Sequence, residues 1–438
     1  MHSFHYQNGT LHCEGVDLAA LAAEHGTPLY VYSAGTILDH YRRLSGAMGA
    51  ELDCLVCYAT KANSNLAVLN LLAKEGAGFD IVSGGELFRV EKAGGDPGKC
   101  TFAGVGKTRA EIELGLKRGI YSFNAESEAE VAFISQVAGE LGLVAPIALR
   151  VNPNVDAKTH KYISTGKSEN KFGIDFASIR DAYARAAALP NVKIRGLQMH
   201  IGSQLTSVSP FVEAVEKVLP LVEELKSLYG IEFFSIGGGI GIVYQDSLES
   251  GGPDWWVDKD EKPLTIEEYA GRLVPLLKPL GLRIVLEPGR FMVGNAGVLL
   301  TEVLYEKHGT AKTFKIVDAA MNDLMRPTLY EAFHEIRPVD ESVTVSGERL
   351  VDVVGPVCET GDFLAQDRML PPVRRGDLLA VMTAGAYGAT MSSTYNSRLL
   401  IPEVLVKDET FAVVRPRPSY EELIGGDRIA PWLAGEAT

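Results

Sequence analysis

LDCLVCYATKANSNLAVLNLLAKEGAGFDIVS (residues 52–83) decides the fold. It opens on a short apolar run, LDCLVCYATK (52–61), rich in residues that suit a pleated, buried strand. NLAVLNLLAKEG (65–76) follows, with apolar residues three and four apart, and GFDIVS (78–83) returns to a strand-like run. Strand, helix and strand in that order imply a parallel pair joined by a crossover helix.

Working outward, six more apolar runs close on small or polar residues. They are CTFAGV (100–105), YSFNAES (121–127), PIALRVNP (146–153), IRGLQMHIGS (194–203), FFSIGGG (233–239) and RIVLEPG (283–289). Between them lie TRAEIELGLKRG (108–119), SEAEVAFISQVAGELG (127–142) and FVEAVEKVLPLVEELKSLYG (211–230), helical in spacing and each ending on glycine at a C-cap position. Eight strand units between residues 52 and 289 match a closed (β/α)8 barrel of the TIM type. A doubly wound open sheet would need fewer strands and a glycine fingerprint after the first, which is absent.

After about residue 295 the pattern changes to GVLLTEVLYEK, TFKIVDA, LVDVVGP, DLLAVMTAG and EVLVKDETFAVVRP, strand-like runs with little helical periodicity. The expected division is a barrel over 36–295 and a mostly β second domain, sandwich or barrel, built from 1–35 plus 296–438. The early strand-like PLYVYS belongs to the second domain on this reading.

With 438 residues, 46% of them hydrophobic and 22% charged, the chain suits a globular protein with two cores. A formal charge of −14 argues against nucleic acid and anionic membrane surfaces, which demand basic patches, and favours a small-molecule partner. The start MHSFHYQNGTLHCEG has no signal-like pattern, and the longest uncharged stretch, 378–397, is too rich in Gly, Ser and Thr for a membrane span. The expected location is the cytoplasm. Five irregularly spaced cysteines make no disulfide framework. Cys54 and Cys57 form a CxxC, but on a strand residues three apart point to opposite faces, so no metal site is expected.

In such a barrel, chemistry gathers at the carboxyl ends of the strands. Lys61 closes the first strand, where a partly desolvated amine suits Schiff-base chemistry. Gly237, Gly238 and Gly239 close the seventh and leave backbone N–H groups able to approach an anion. Glu287, Pro288, Gly289 and Arg290 close the eighth, placing a carboxylate and a guanidinium at the same mouth. His200 and Ser203, at the end of the sixth, suit ring stacking and a phosphate hydrogen bond. The later segments add Arg326 and Tyr330, Cys358 and Glu359, and Tyr387. Taken one at a time, each has an ordinary core or surface explanation; together they form a constellation.

YATKAN (58–63), QMHIGSQLT (198–206), SIGGGIGI (235–242), EPGR (287–290), CETGDF (358–363) and GAYG (385–388) resemble, in order, the signatures of the fold-type III pyridoxal-phosphate decarboxylases related to alanine racemase. The likeness runs over nearly the whole chain. Within that group, THKYISTGKSENKFGI (159–174) and DAAMNDLMRPTLYEAFHEI (318–336) resemble the diaminopimelate decarboxylase branch more than the ornithine or arginine enzymes.

The resemblance implies pyridoxal 5'-phosphate held on Lys61, its ring stacked on His200 and its nitrogen paired with Glu287. Ser203, Gly238, Gly239, the Glu287–Pro288–Gly289–Arg290 turn and Tyr387 would hold the phosphate. Arg290, Arg326, Tyr330, Glu359 and Tyr387 would bind meso-diaminopimelate, and Cys358 would act as an acid. It also implies a homodimer in which Cys358 and Glu359 serve the partner's cofactor. Decarboxylases of ornithine, arginine or lysine, and more remotely a racemase, are the rival activities. IVYQDSLESGGPDWWVDKDEKPL (242–264) departs from the family in length and acidity, and its Trp255 and Trp256 receive no role.

Overall fold

The structure, a computed structural model, describes residues 2–155, 171–252, 255 and 263–433. Residues 159–170 of the branch-like segment, and Trp256 with most of its neighbours, lie outside the described residues. The chain forms two compact units, one of residues 1–5, 33–297 and 382–390, the other of 6–32, 298–381 and 391–438.

Eight parallel strands make the first unit. They are β1 (Cys54–Ala59), β2 (Gly78–Ile81), β3 (Cys100–Phe102), β4 (Ser122–Ala125), β5 (Ala145–Asn152), β6 (Val192–Met199), β7 (Phe233–Gly237) and β8 (Arg283–Leu286). Each pairs with the next, and β8 returns to β1 with Ile284 opposite Cys54 and Leu286 opposite Val56, so the barrel is closed. Strands buried on both faces read as continuous apolar runs, which is why all eight were visible as such.

The helices between them start and stop where local chemistry directs. Thr108 and Glu111 make a reciprocal capping box at the start of Arg109–Arg118. Gly76, Gly119, Gly142 and Gly230, just past the ends of four of these helices, all take positive φ (87°, 64°, 66° and 64°), a conformation that favours glycine.

Within the barrel, Cys57, Tyr121, Ala148, Phe233 and Val285 form a buried cluster, with the Tyr121 and Phe233 rings 5.1 Å apart. Burying a side chain such as Phe233 contributes roughly 1.5–3 kcal/mol. Gly196 makes room for it, since a Cβ there would fall 2.5 Å from the Phe233 ring. The lumen is therefore a packed core, and the strands' carboxyl ends are left for chemistry. Cys57 lies in this cluster while Cys54 is half-buried, as opposite strand faces require.

In the second unit the strand path runs Phe363–Leu370, Arg349–Val354, Thr313–Val317, Gly297–His308, Leu29–Ser33, Glu403–Lys407, Thr410–Arg415. Leu378–Val381 pairs with both Gly297–His308 and Ile336–Pro338. The unit is mostly β. Among the described residues no helix is long and apolar enough to cross a membrane, and no cluster of His, Cys, Asp or Glu is placed to hold a metal ion.

Candidate active site

Lys61 sits in a single helical turn, Thr60–Ala62, directly after β1. Its Nζ donates to Asp80 Oδ2 at 2.5 Å; the lysine side chain keeps 42% of its surface open to solvent while Asp80 keeps 2%. Burial pulls the Lys61 ammonium toward neutrality, but the Asp80 carboxylate and then Tyr387 outweigh it and hold the pKa above the ordinary lysine value. Asp80, near the end of β2, is not among the residues that the sequence singles out, although GFDIVS reads as a strand. Its Oδ1 is buried without a hydrogen-bond partner among the described residues.

Glu287, immediately after β8, is 7% exposed. Oε1 accepts from Asn124 Nδ2 at 3.2 Å and Ser235 Oγ at 2.9 Å, and Oε2 accepts from Gln198 Nε2 at 2.9 Å. These donors come from β4, β7 and β6, so closure of the barrel is what assembles them. Burial first, and the Asp80 charge second, push the Glu287 pKa up to about 7 against the lowering effect of Gln198, Ser235 and Lys61. Glu86 responds in the same sense, raised by burial to about 7 despite the Val82 N–H and Lys61.

His200 follows β6. Its Nδ1 accepts from the Gly238 N–H at 3.2 Å, which places the ring proton on Nε2. Burial, then the positive Arg150 and Lys61, hold its pKa well below the usual histidine value, so the ring is neutral. Arg150 Nη2 lies 3.4 Å from the His200 carbonyl, and Arg150 Nη1 is paired with Glu126 Oε1 at 2.9 Å. Glu126 and Arg150, like Asp80, lie at or near strand ends, and nothing in the sequence around them marks them out.

The glycine turn is built around close backbone approach. A Cβ at Gly238 would fall 2.1 Å from the Glu287 carbonyl oxygen, and one at Gly239, where φ is 107°, 2.4 Å from the Gly202 carbonyl. Arg290 Nη2 donates to Ser203 Oγ at 3.1 Å. The Arg290 guanidinium stacks on Tyr387 at 5.0 Å. Tyr387 is delivered by the 382–390 stretch, which packs with the barrel: its N–H donates to the Ala62 carbonyl at 2.8 Å. Pro288 accepts from the Ala59 N–H at 2.9 Å, and a Cβ at Gly289 would lie 3.1 Å from the Tyr387 hydroxyl. Lys61, His200, Ser203, Gly238, Gly239, Glu287, Pro288, Gly289, Arg290 and Tyr387 thus all belong to the first unit.

The other candidates belong to the second unit. Arg326 is buried, its Nε donating to His334 Nε2 at 3.3 Å and its guanidinium 5.9 Å from the Tyr330 ring. Cys358 and Glu359 are exposed; Glu359 Oε2 accepts from Tyr395 Oη at 2.9 Å, and the Cys358 N–H donates to Asn396 Oδ1 at 2.9 Å.

Compared with known proteins, residues 34–294 match the pyridoxal-dependent decarboxylase, pyridoxal binding domain. A diaminopimelate decarboxylase of Pseudomonas fluorescens is 49% identical over 434 residues, 98% of this chain and 100% of that one. The chain belongs to the diaminopimelate decarboxylase family. The family's Helicobacter pylori enzyme, solved in complex with L-lysine, is 40% identical over 93% of this chain and 98% of that one, with a TM-score of 0.86. The M. jannaschii enzyme, also solved with L-lysine, is 37% identical over 98% and 99% of the two chains, with a TM-score of 0.89.

Family membership makes the chain a pyridoxal-phosphate-dependent decarboxylase acting on a small molecule. The residues present fit the cofactor. The mouth holds an amine on Lys61, a glycine turn that a Cβ would fill, and a Glu287 carboxylate whose three donors leave one of about four acceptor positions for a ring N–H.

Proposed function

We propose that this chain decarboxylates meso-2,6-diaminopimelate at its D-configured centre, releasing carbon dioxide and L-lysine, the last step of lysine biosynthesis. Glu287 carries the reading: a buried carboxylate aimed by three donors, at the same mouth as Lys61. Bound pyridoxal phosphate supplies an electron sink for the pair left when carbon dioxide departs.

The protein's own groups do the rest. Lys61 would provide the amine that attaches the cofactor, and Asp80, which accepts from its Nζ at 2.5 Å, would hold the lysine's ammonium form. Glu287 holds a proton at the ring nitrogen, which a racemase, needing a weakly acidic ring environment, would avoid. His200 offers a neutral ring face as a stacking platform. Ser203, Gly238, Gly239, Pro288, Gly289 and Tyr387 cradle the phosphate. Arg290 or Arg326 takes the carboxylate of the distal L-centre, the one that stays on the product, since a guanidinium meets it with two parallel hydrogen bonds; Tyr330 and Tyr387 also bind the substrate, and Glu359 takes the distal ammonium.

Cys358 delivers a proton to the carbon that loses carbon dioxide. We assign Cys358 and Glu359 to the site of a second copy in a homodimer, which is supported by the exposure of both side chains on their own chain. The test is carbon dioxide release from meso-diaminopimelate, its LL isomer, ornithine and arginine offered side by side. The meso compound is expected to dominate; comparable rates for all four, or alanine racemisation without carbon dioxide, would overturn the assignment.

A further inference from the structure

The acidic segment after the glycine turn begins inside the barrel mouth. Gln204 grips residue 242 at both backbone groups, Nε2 donating to the Ile242 carbonyl at 2.6 Å and Oε1 accepting from the Ile242 N–H at 3.2 Å. Asn295 Nδ2 donates to the Val243 carbonyl at 3.0 Å. Gln204 does this from a left-handed backbone, φ 62°, a conformation that costs a non-glycine residue and persists where the surroundings impose it. Two separate elements therefore fix the backbone that carries Tyr244.

The Tyr244 hydroxyl meets Arg290 Nη1 at 2.5 Å. With Nη2 on Ser203 at 3.1 Å and the Tyr387 ring at 5.0 Å, the guanidinium is anchored at two of its corners and covered on one face. Guanidinium donors lie in one rigid plane, so anchoring that plane decides the angle at which a carboxylate can be met. The phenol adds no charge; what it contributes is orientation, which lowers the ordering cost of binding.

We propose that Tyr244 is a positioning residue that sets Arg290 for the substrate's carboxylate, so that the acidic segment contributes to substrate recognition through its first three residues. The inference rests on the function proposed above. It predicts that Tyr244→Phe in the full-length, cofactor-loaded protein raises KM for meso-diaminopimelate by about tenfold, the scale of one hydrogen bond to a charged group. The kcat stays within about twofold, because an interaction made equally before and during reaction alters KM alone. The visible absorbance and the dissociation constant of the cofactor stay unchanged.

Gln204→Ala frees Ile242 without touching Arg290 and raises KM in the same direction by less; it carries the test should Tyr244→Phe lower the thermal midpoint. An unmoved KM in both variants overturns the inference. So does a loss of cofactor affinity matching the rise in KM, which would assign the Tyr244–Arg290 pair to the phosphate. A wild-type protein inert toward meso-diaminopimelate removes the functional reading and this inference with it, whereas an active wild type beside unaltered variants removes this inference alone.

Discussion

Glu287, in the barrel unit, is 7% exposed and held by three donors from three strands, while Glu359, in the second unit, is exposed and meets one tyrosine hydroxyl. Withdrawing a carboxylate from water is costly, and the barrel offsets that cost with hydrogen bonds aimed before any ligand arrives. An exposed carboxylate keeps its water and has little intrinsic orientation. The contrast separates a carboxylate oriented by its own unit from one that its own unit leaves open to water. Cys358, next to Glu359, is exposed as well, and that exposure is what supports the proposal that both serve a second copy.

The largest expected effect tests the barrel half. Lys61→Ala should lower turnover by more than about 100,000-fold, as removal of a covalent catalyst typically does, and abolish the visible absorbance of the bound cofactor. Retained colour and activity would break the comparison at its stronger end. Next comes the exposed half: Cys358→Ala should lower turnover by about a thousandfold, as loss of a general acid does. Co-expressed with Lys61→Ala, it should recover about a quarter of wild-type activity, because half of randomly paired symmetric dimers carry one intact site of two. Mixed dimers that form yet stay inactive would return Cys358 to its own subunit.

The smallest effect concerns the cost of burying Glu287. In the cofactor-free protein its pKa is raised from 4.5 to about 7, so the folded state binds a proton that the unfolded state has released. The stabilisation that the neutral acid provides is complete below pH 4.5 and is lost as pH rises to about 7, as much as about 3 kcal/mol in all. Urea unfolding at pH 5 and pH 8 should show the fall, and Glu287→Gln should flatten it. An unchanged slope in the variant would assign the pH dependence elsewhere.

What the sequence disclosed follows the same divide. The eight strands were legible because a sheet buried on both faces writes itself as apolar runs, and Lys61, His200 and Glu287 because strand ends in a parallel barrel converge. The partners of Glu287 were hidden. Asn124, Gln198 and Ser235 lie within strands, and only register, which sets Gln198 opposite Ser235, makes them neighbours. Asp80 was hidden for a different reason: it is an ordinary-looking residue at a recognised strand end, and its meaning depends on the lysine 19 positions earlier. Tyr244 lay in a segment that looked like an insertion, and its role depends on contacts with Gln204, Asn295 and Arg290 that are distant in sequence.

The 382–390 stretch has a consequence for how the protein comes into being. Asn63 donates to the Gly385 carbonyl at 3.3 Å, and the Gly385 N–H donates to the Gly294 carbonyl at 3.1 Å, so one short segment fastens both ends of the barrel chain. Its fit is tight enough that a Cβ on Gly385 would fall 1.9 Å from the Val293 carbonyl. Ninety-five residues, 287–381, separate the end of β8 from this clasp, so a chain that has only just completed its last barrel strand does not yet have it. Until then the nascent barrel lacks Tyr387. Because Tyr387 is one of the groups proposed to hold the phosphate, a chain that stops short of this stretch is expected to bind the cofactor more weakly.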